Sequence, residues 1–463
     1  MVSNESNPFR RNRWTFGIGT IGRDMLYTLI SMFFIVYLTE LDGLSNAELG
    51  WITGLIVGLR AFDAVTDPAI GAIVDNTRTR WGKHKPWILL GALFSGVFTM
   101  ALFWDFHAAG GARVAIYPII FFFWAATYGF NDIAYWSYVP ELSLDLKERE
   151  EIGAKARIFA LVGVFFVVAA NVPIRSALVG VAGSEQAAWL WFAGIVVLVL
   201  WAGQAVTLFG VKEPPHMAEN LQRTTLMEFF RAIFKNDQLL YIAAAMGLFM
   251  IGYTTTTSFG LFYFQFVFGN EAMFSIFALI LGVGQIVSLM LFPKVSARVP
   301  RRRLYLGATV LATIGYLLFF FAPTSTMLGI GIAGGMIFLA QAAIQLMMLL
   351  CLADTVDYGH WKLGKRNDSV TFSLQPFIYK AGGAIATGIV GATAIATGIN
   401  HRTIGDLLTG GDLIVFKAAM LLLPLLCIVG GYLIFHFKFR IDETLYASIR
   451  ADLDARAAKE GER

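Results

Sequence analysis

Arg60-Ala61-Phe62-Asp63-Ala64-Val65-Thr66-Asp67-Pro68 sets two carboxylates inside an apolar run that extends from about Trp51 to Val74. At a spacing of i and i+4, Asp63 and Asp67 share one face of a helix, roughly 6 Å apart. An aspartate at a bilayer centre costs about 2.5–3.5 kcal/mol on insertion scales, and two on one face also repel each other. Such a pair persists where something positive meets it: a cation, a proton, or an intramembrane Lys or Arg. The plainer alternative is a salt bridge to structural arginines near the membrane surface. The depth of the pair within the apolar run argues against it.

Working outward, the composition agrees with a membrane setting. The chain has 463 residues, 57% hydrophobic and only 15% charged, against about 25% charged in a soluble protein. The net charge of +4 says little; the positions of the charges say more. Cys351 and Cys427 both lie in apolar segments and the six histidines are scattered, so neither a disulfide framework nor a metal cluster is expected. The polar, basic N-terminus leads into a run of spanning length, which reads as an uncleaved first helix.

Apolar runs of spanning length recur at 17–39, 48–74, 86–106, 114–139, 156–175 and 188–210. A polar link at 211–237 follows, then six more at 238–267, 272–293, 304–321, 327–353, 369–398 and 413–437. Six and six around one long loop predict an all-α membrane protein: twelve transmembrane helices in two six-helix bundles about a midplane cavity, as in the major facilitator fold. The expected divisions are an N-terminal bundle at 1–210, a cytoplasmic loop at 211–237, a C-terminal bundle at 238–440 and a cytoplasmic tail at 441–463. Lys and Arg gather in every alternate loop, as at Arg78, Arg80, Lys83 and Lys85 or at Arg298 and Arg301 to Arg303, with Arg113, Arg175 and Arg402 as exceptions. By the positive-inside rule both termini are cytoplasmic, in a multi-pass protein of the cell inner membrane. An echo links the halves: the basic loop before Leu89-Leu90-Gly91-Ala92 matches the one before Tyr305-Leu306-Gly307-Ala308.

Four other spans carry ionisable groups: Arg23-Asp24 in the first, Asp132 in the fourth, Arg157 in the fifth and Lys380 in the eleventh. Asp132 and Trp136 share a helix face, joining a hydrogen-bond acceptor to a flat aromatic surface, a pairing that suits a sugar. The alternative is an Asp salt-bridged to a neighbour beside a lipid-facing Trp. Arg23 is the natural partner of Asp24 or Asp132, and a charge-pair gate is nearly as good a reading as ligand contact. Arg157 reads equally as a snorkelling helix-end residue. Lys380 needs a counter-charge, which Asp63 or Asp67 would supply. Asp354 and Asp357, at the interfacial end of span ten, are expected to pair with basic cytoplasmic loops and steady an inner gate. Asp75 and Arg78 are the gating candidates of the first half, and the tail is expected to have no chemistry of its own.

Several stretches jointly resemble the glycoside–pentoside–hexuronide:cation symporters, the melibiose permease-like family of the major facilitator superfamily. They are Gly22-Arg23-Asp24, Arg60 to Asp67-Pro68, Asp75 to Lys83 with Lys85-Pro86-Trp87-Ile88, Asn131-Asp132-Ile133 to Trp136-Ser137, Asp354 to Gly359, and Lys380. The resemblance covers almost the whole chain. It implies a sugar–cation symporter working by alternating access, with Asp63 and Asp67 as cation-site acids. It also implies sugar contact at Asp24, Asp132, Trp136 and Arg157, and a functional lysine at Lys380. Thr66 and Gly129 stand where melibiose permease has Asn and Thr, which weakens the case for sodium and favours a proton. The expected partners are a sugar, H⁺ or Na⁺ as coupling ion, and membrane lipids, with no cofactor and no nucleic acid. The rivals are a carrier of a lipid or other non-sugar solute on the same fold, and a membrane enzyme or receptor. The presence of Asp132 and Trp136 opposes the first, and the lack of a catalytic constellation or phosphate loop opposes the second.

Overall fold

The computed structural model describes residues 8–41, 44–139, 142, 146–212, 234–363, 368–403 and 406–461. Most of the expected central loop at 211–237 lies outside them. The described residues form helices and no strand. Two compact units result: Met1–Leu221 with Asn270–Ser275 and Gly398–Ile404, and Gln222–Gly269 with Ile276–Thr397 and Gly405–Arg463.

The first unit contains α1 (Pro8–Thr28), which passes through a π-helical turn at Leu29–Phe33 into α2 (Phe34–Thr39). Then follow α3 (Asn46–Asn76), α4 (Lys85–Leu102), α5 (Gly111–Tyr138), α6 (Leu146–Ala182) and α7 (Glu185–Gly210). The second contains α8 (Asp237–Ser258) with α9 (Gly260–Tyr263), α10 (Ala272–Ser296), α11 (Arg301–Phe321), α12 (Met327–Leu363) and α13 (Asp368–Ala396). Its last span is α14 (Gly410–Lys417) and α15 (Leu423–Lys438), and α16 (Glu443–Gly461) follows. Eleven helices among the described residues are long and apolar enough to cross a membrane. The helix α3, of 31 residues, makes the twelfth, since about 46 Å of helix exceeds a hydrocarbon core of about 30 Å.

Local chemistry sets the helix starts. Ser45 and Glu48 form a capping box on α3, with the Ser45 side chain accepting from the Glu48 amide and Glu48 Oε2 accepting from the Ser45 amide at 2.9 Å. Ser184 and Asn236 cap α7 and α8 in the same sense. A second echo between the halves appears in the backbone. The first span of each unit breaks into a π-helical turn, at Leu29–Phe33 and at Phe264–Phe268. Such turns cluster where a helix has been re-aimed for function.

In the first unit α1 packs on α6 and α7, and α5 packs on α3 and α4. The close approach depends on missing side chains: a Cβ at Gly22 would overlap the Leu200 backbone, and one at Gly163 would overlap the Ile21 carbonyl. That packing holds Arg23 and Asp24, next along α1, at a fixed depth. In the second unit α8 lies on α13 and α15, and α11 on α12.

Candidate functional site

Arg23 is 2% exposed and binds two carboxylates at once: Nη1 donates to Asp132 at 2.7 Å and Nη2 to Asp24 at 3.2 Å. The carboxylates are 22% and 23% exposed. The guanidinium is therefore sealed while an edge of each aspartate stays open. The Arg23 guanidinium also lies 4.9 Å from the Trp136 ring and 5.0 Å from Tyr135. Arg157 sits 5.3 Å from the same indole and acts electrostatically on Asp24. Two arginines and two aspartates make a charge-balanced cluster contributed by α1, α5 and α6. The alternatives left open by the sequence, Arg23 with Asp24 or with Asp132, resolve to both. Arg157 is exposed, with its guanidinium over the Trp136 indole.

The aspartates of α3 are half-buried. Asp63 acts electrostatically on Arg60, and the Arg60 guanidinium lies 5.7 Å from the Phe121 ring. A Cβ added at Gly129 would stand 3.9 Å from Asp67 Oδ1 and 3.2 Å from Ile70 Cδ1. Gly129 of α5 thus faces Asp67 but offers it no side-chain oxygen. Thr66 Oγ1 donates to the Asp63 carbonyl of its own helix at 3.2 Å. Among the described residues no group of three or more His, Cys, Asp or Glu could hold a metal ion.

Lys380 belongs to the second unit, half-buried on α13, where Gly382 lets that helix meet α8 at Met250. Asp354 is bound by Arg301 at the start of α11. Asp357 accepts from Tyr446 at 2.8 Å and Arg450 at 3.3 Å, both on α16. The tail therefore has a task that sequence reading did not give it, holding one acid of the Asp354–Asp357 motif. Arg78 is exposed in the loop after α3, and the Asp75 side chain lies outside the described residues.

Two features escaped the sequence. Trp124 and Tyr128 precede Asp132 and Trp136 at the same four-residue spacing on α5, and Tyr128 stacks on Trp124 at 5.4 Å and on Tyr27 of α1 at 5.5 Å. The stripe is visible in the sequence once the 132–136 pair is extended backwards. Arg175, an exception to the loop pattern, is fully buried within α6. It binds Glu40 at 3.1 Å, Glu185 at 3.0 Å and Glu271 at 3.2 Å, and it stacks on Trp189 at 4.3 Å. Nothing local signals Glu40 and Glu271, 135 and 96 residues away.

Residues 15–443 match the family model described as MFS/sugar transport protein. The chain is 30% identical to a lactose permease of Leuconostoc lactis, over 96% of this chain and 72% of that one. It is 30% identical to a raffinose carrier protein of Pediococcus pentosaceus, over 96% and 71%. It is 24% identical to a glucuronide carrier protein homolog of Escherichia coli (strain K12), over 95% and 94%. A crystal structure of a D-xylose-proton symporter superposes with a TM-score of 0.65 over 94% of this chain and 99% of that one, at 14% identity. That likeness bears on the fold alone, the major facilitator architecture.

Proposed function

This chain belongs to the MFS/sugar transport protein family, and from that premise we propose that it is a secondary active symporter importing a sugar, a glycoside, pentoside or hexuronide, coupled to H⁺ or Na⁺ by alternating access. It is a transporter rather than an enzyme. The observation that carries the sugar reading is the Arg23–Asp24–Asp132 cluster, whose carboxylates stay about one-fifth exposed. Carboxylate oxygens left over from Arg23 accept hydroxyl protons, and charge-assisted bonds of this kind are about twice as strong as neutral ones. Arg157 is exposed and can yield the Trp136 indole face to a pyranose ring.

For the coupling ion we favour the proton, with Asp63 or Asp67 as carrier. Sodium needs several oxygen ligands, and Gly129, which faces Asp67, offers none from its side chain. A proton needs one carboxylate. Asp354 and Asp357, with Asp75 and Arg78, are the gating candidates of the two halves. Loop charges favour an inner-membrane protein with both termini cytoplasmic. Membrane-impermeant labelling of Thr79→Cys and His107→Cys in intact cells tests this, and labelling at 79 without labelling at 107 would reverse the topology.

The transport test uses proteoliposomes and radiolabelled lactose, raffinose and a methyl glucuronide, under an imposed pH gradient without sodium or under a sodium gradient alone. At least one sugar should accumulate in the parent protein, and Asp132→Ala should lose both uptake and binding. Asp67→Asn should lose uphill accumulation while keeping exchange of internal for external sugar. Accumulation of no sugar by the parent, or parental uptake by Asp132→Ala, refutes the reading; strict sodium dependence refutes the proton.

A further inference from the structure

The charge pair of the first unit joins two helices whose backbones barely touch. α1 packs on α6 and α7, and α5 on α3 and α4, yet Arg23 of α1 meets Asp132 of α5 at 2.7 Å. Direct packing therefore does not set the height of one helix against the other.

Uncharged side chains on α7 bridge the gap. Gln204 Nε2 donates to the Gly19 carbonyl of α1 at 2.7 Å, and Gln204 Oε1 accepts from Asn131 Nδ2 of α5 at 3.1 Å. Asn131 Nδ2 also donates to the Ile88 carbonyl of α4 at 2.9 Å. One turn away on each helix a second crossing repeats the first. Thr207 donates to the Thr15 carbonyl at 3.0 Å, Tyr135 donates to the Phe16 carbonyl, and the two hydroxyls lie 3.1 Å apart. Asn131, Gln204, Tyr135 and Thr207 are all fully buried. A Cβ at Gly19 would overlap the Thr207 and Tyr135 hydroxyls, so glycine is required where the crossing meets α1.

The crossings adjoin the charge pair on both sides. Asn131 is the residue before Asp132, and the Gly19 carbonyl is the one that the Arg23 amide reaches in the helix ladder. Tyr135 holds α1 through its hydroxyl while its ring lies 5.0 Å from the Arg23 guanidinium. Stability does not account for the arrangement. The Asn131 carbonyl oxygen is sealed without a donor, which costs stability that an apolar side chain would not. What apolar side chains lack is register. Leucines pack at several heights, whereas a buried hydrogen bond fixes one atom against another along the helix axis.

The second unit carries the corresponding tie without the charges. Gln341 donates to the Tyr316 hydroxyl at 2.8 Å, Tyr316 and Thr256 share a bond at 2.7 Å, and Thr256 bonds the Met420 carbonyl at 3.3 Å. These residues lie on the first, third, fourth and sixth spans of their half, the same four that Gly19, Ile88, Asn131 and Gln204 join. No charged residue stands within four positions of Thr256, Tyr316 or Gln341.

We propose that Asn131 and Gln204 are positioning residues: their buried amide relay fixes the height of α1 against α5, and so sets the Arg23–Asp132 pair whose partly exposed carboxylate receives the substrate. The proposal rests on the sugar reading for what the carboxylate receives, and on geometry alone for the pair.

The test has two arms. In the first, thermal unfolding in detergent gives the Arg23–Asp132 coupling from Arg23→Met, Asp132→Asn and the double variant, in the parent and again in Gln204→Leu. Gln204→Leu keeps the volume and leaves the Gly19 carbonyl its helix bond and Asn131 its bond to Ile88. Its Tm should be parental or higher, while the coupling should fall to less than about half of the parent's. Asn131→Leu cuts the relay from the other side and is carried through alongside. In the second arm, both variants in proteoliposomes should raise KM about tenfold for whichever of lactose, raffinose and the methyl glucuronide the parent takes up. Their kcat should stay within about threefold. Tyr316→Phe, in the second unit's tie, should lower Tm and leave both coupling and KM parental. Parental coupling in Gln204→Leu and Asn131→Leu overturns the proposal, as does failure of both to fold, which would make the tie structural. Reduced coupling with parental KM, or a KM raised as much in Tyr316→Phe, overturns the link to substrate. A parent that takes up no sugar refutes the sugar reading, and the coupling arm then decides the positioning by itself.

Discussion

Replacing Arg23 by Met removes the one guanidinium that binds Asp24 and Asp132 together, at 3.2 and 2.7 Å. With charge centres about 4 Å apart and an effective dielectric near 20, each pair is worth about 4 kcal/mol of Coulomb energy. Removing one partner of a buried pair costs about 3–5 kcal/mol, because the other is left uncompensated. Both aspartates are about one-fifth exposed, so water recovers part of that and a net loss of about 2–3 kcal/mol is expected. For a cooperative unit of roughly 220 residues this lowers the apparent Tm by about 5–10 °C. The assay is thermal unfolding in detergent, followed by tryptophan fluorescence and by survival on size exclusion. The double variant Arg23→Met/Asp132→Asn should be more stable than Arg23→Met, recovering about half the loss, since it removes a stranded charge. Adding Asp24→Asn should recover more. Losses that simply add, with the double variant less stable than either single one, would refute the cluster as a compensated charge group.

Gly129→Thr places a hydroxyl beside Asp67, where among the described residues the tightest neighbour is the flexible tip of Ile70. Uptake that is sodium-independent in the parent should become sodium-stimulated, and unchanged ion dependence counts against Asp67 as the ion site. Asp442 caps α16, accepting from the Leu445 amide at 2.8 Å and the Thr444 hydroxyl at 2.7 Å, and these bonds hold its carboxyl below the usual carboxylate range. A depressed carboxyl contributes stability above its unfolded pKa of about 4 and loses it as pH falls through the folded value. Asp442→Ala should therefore loosen α16 by about 1 kcal/mol at pH 7, read as faster amide exchange over 445–452. Once the pH is below the folded value the variant and the parent should converge; a difference that persists in acid rejects the cap.

The sequence alone determined the spans, the loop-charge alternation, the halves' internal echo and the identity of the charged groups within the spans. Hydropathy and charge are properties of a segment by itself, and a bilayer penalises Asp63, Asp67, Asp132 or Lys380 wherever the rest of the chain goes. What each group meets was decided only by the tertiary structure. Helix packing sets which face of α1 turns toward α5, so only the fold shows Arg23 shared between Asp24 and Asp132, or Arg157 brought to Trp136. Asp357 finds its partners on α16, 89 and 93 residues away, and Arg175 gathers carboxylates from three segments. Neutral polar residues are the extreme case. Gln285 and Gln341 read alike in an apolar run, because their hydropathy is the same in lipid, in packing or at a cavity. The turn of each helix about its axis leaves one open and seals the other.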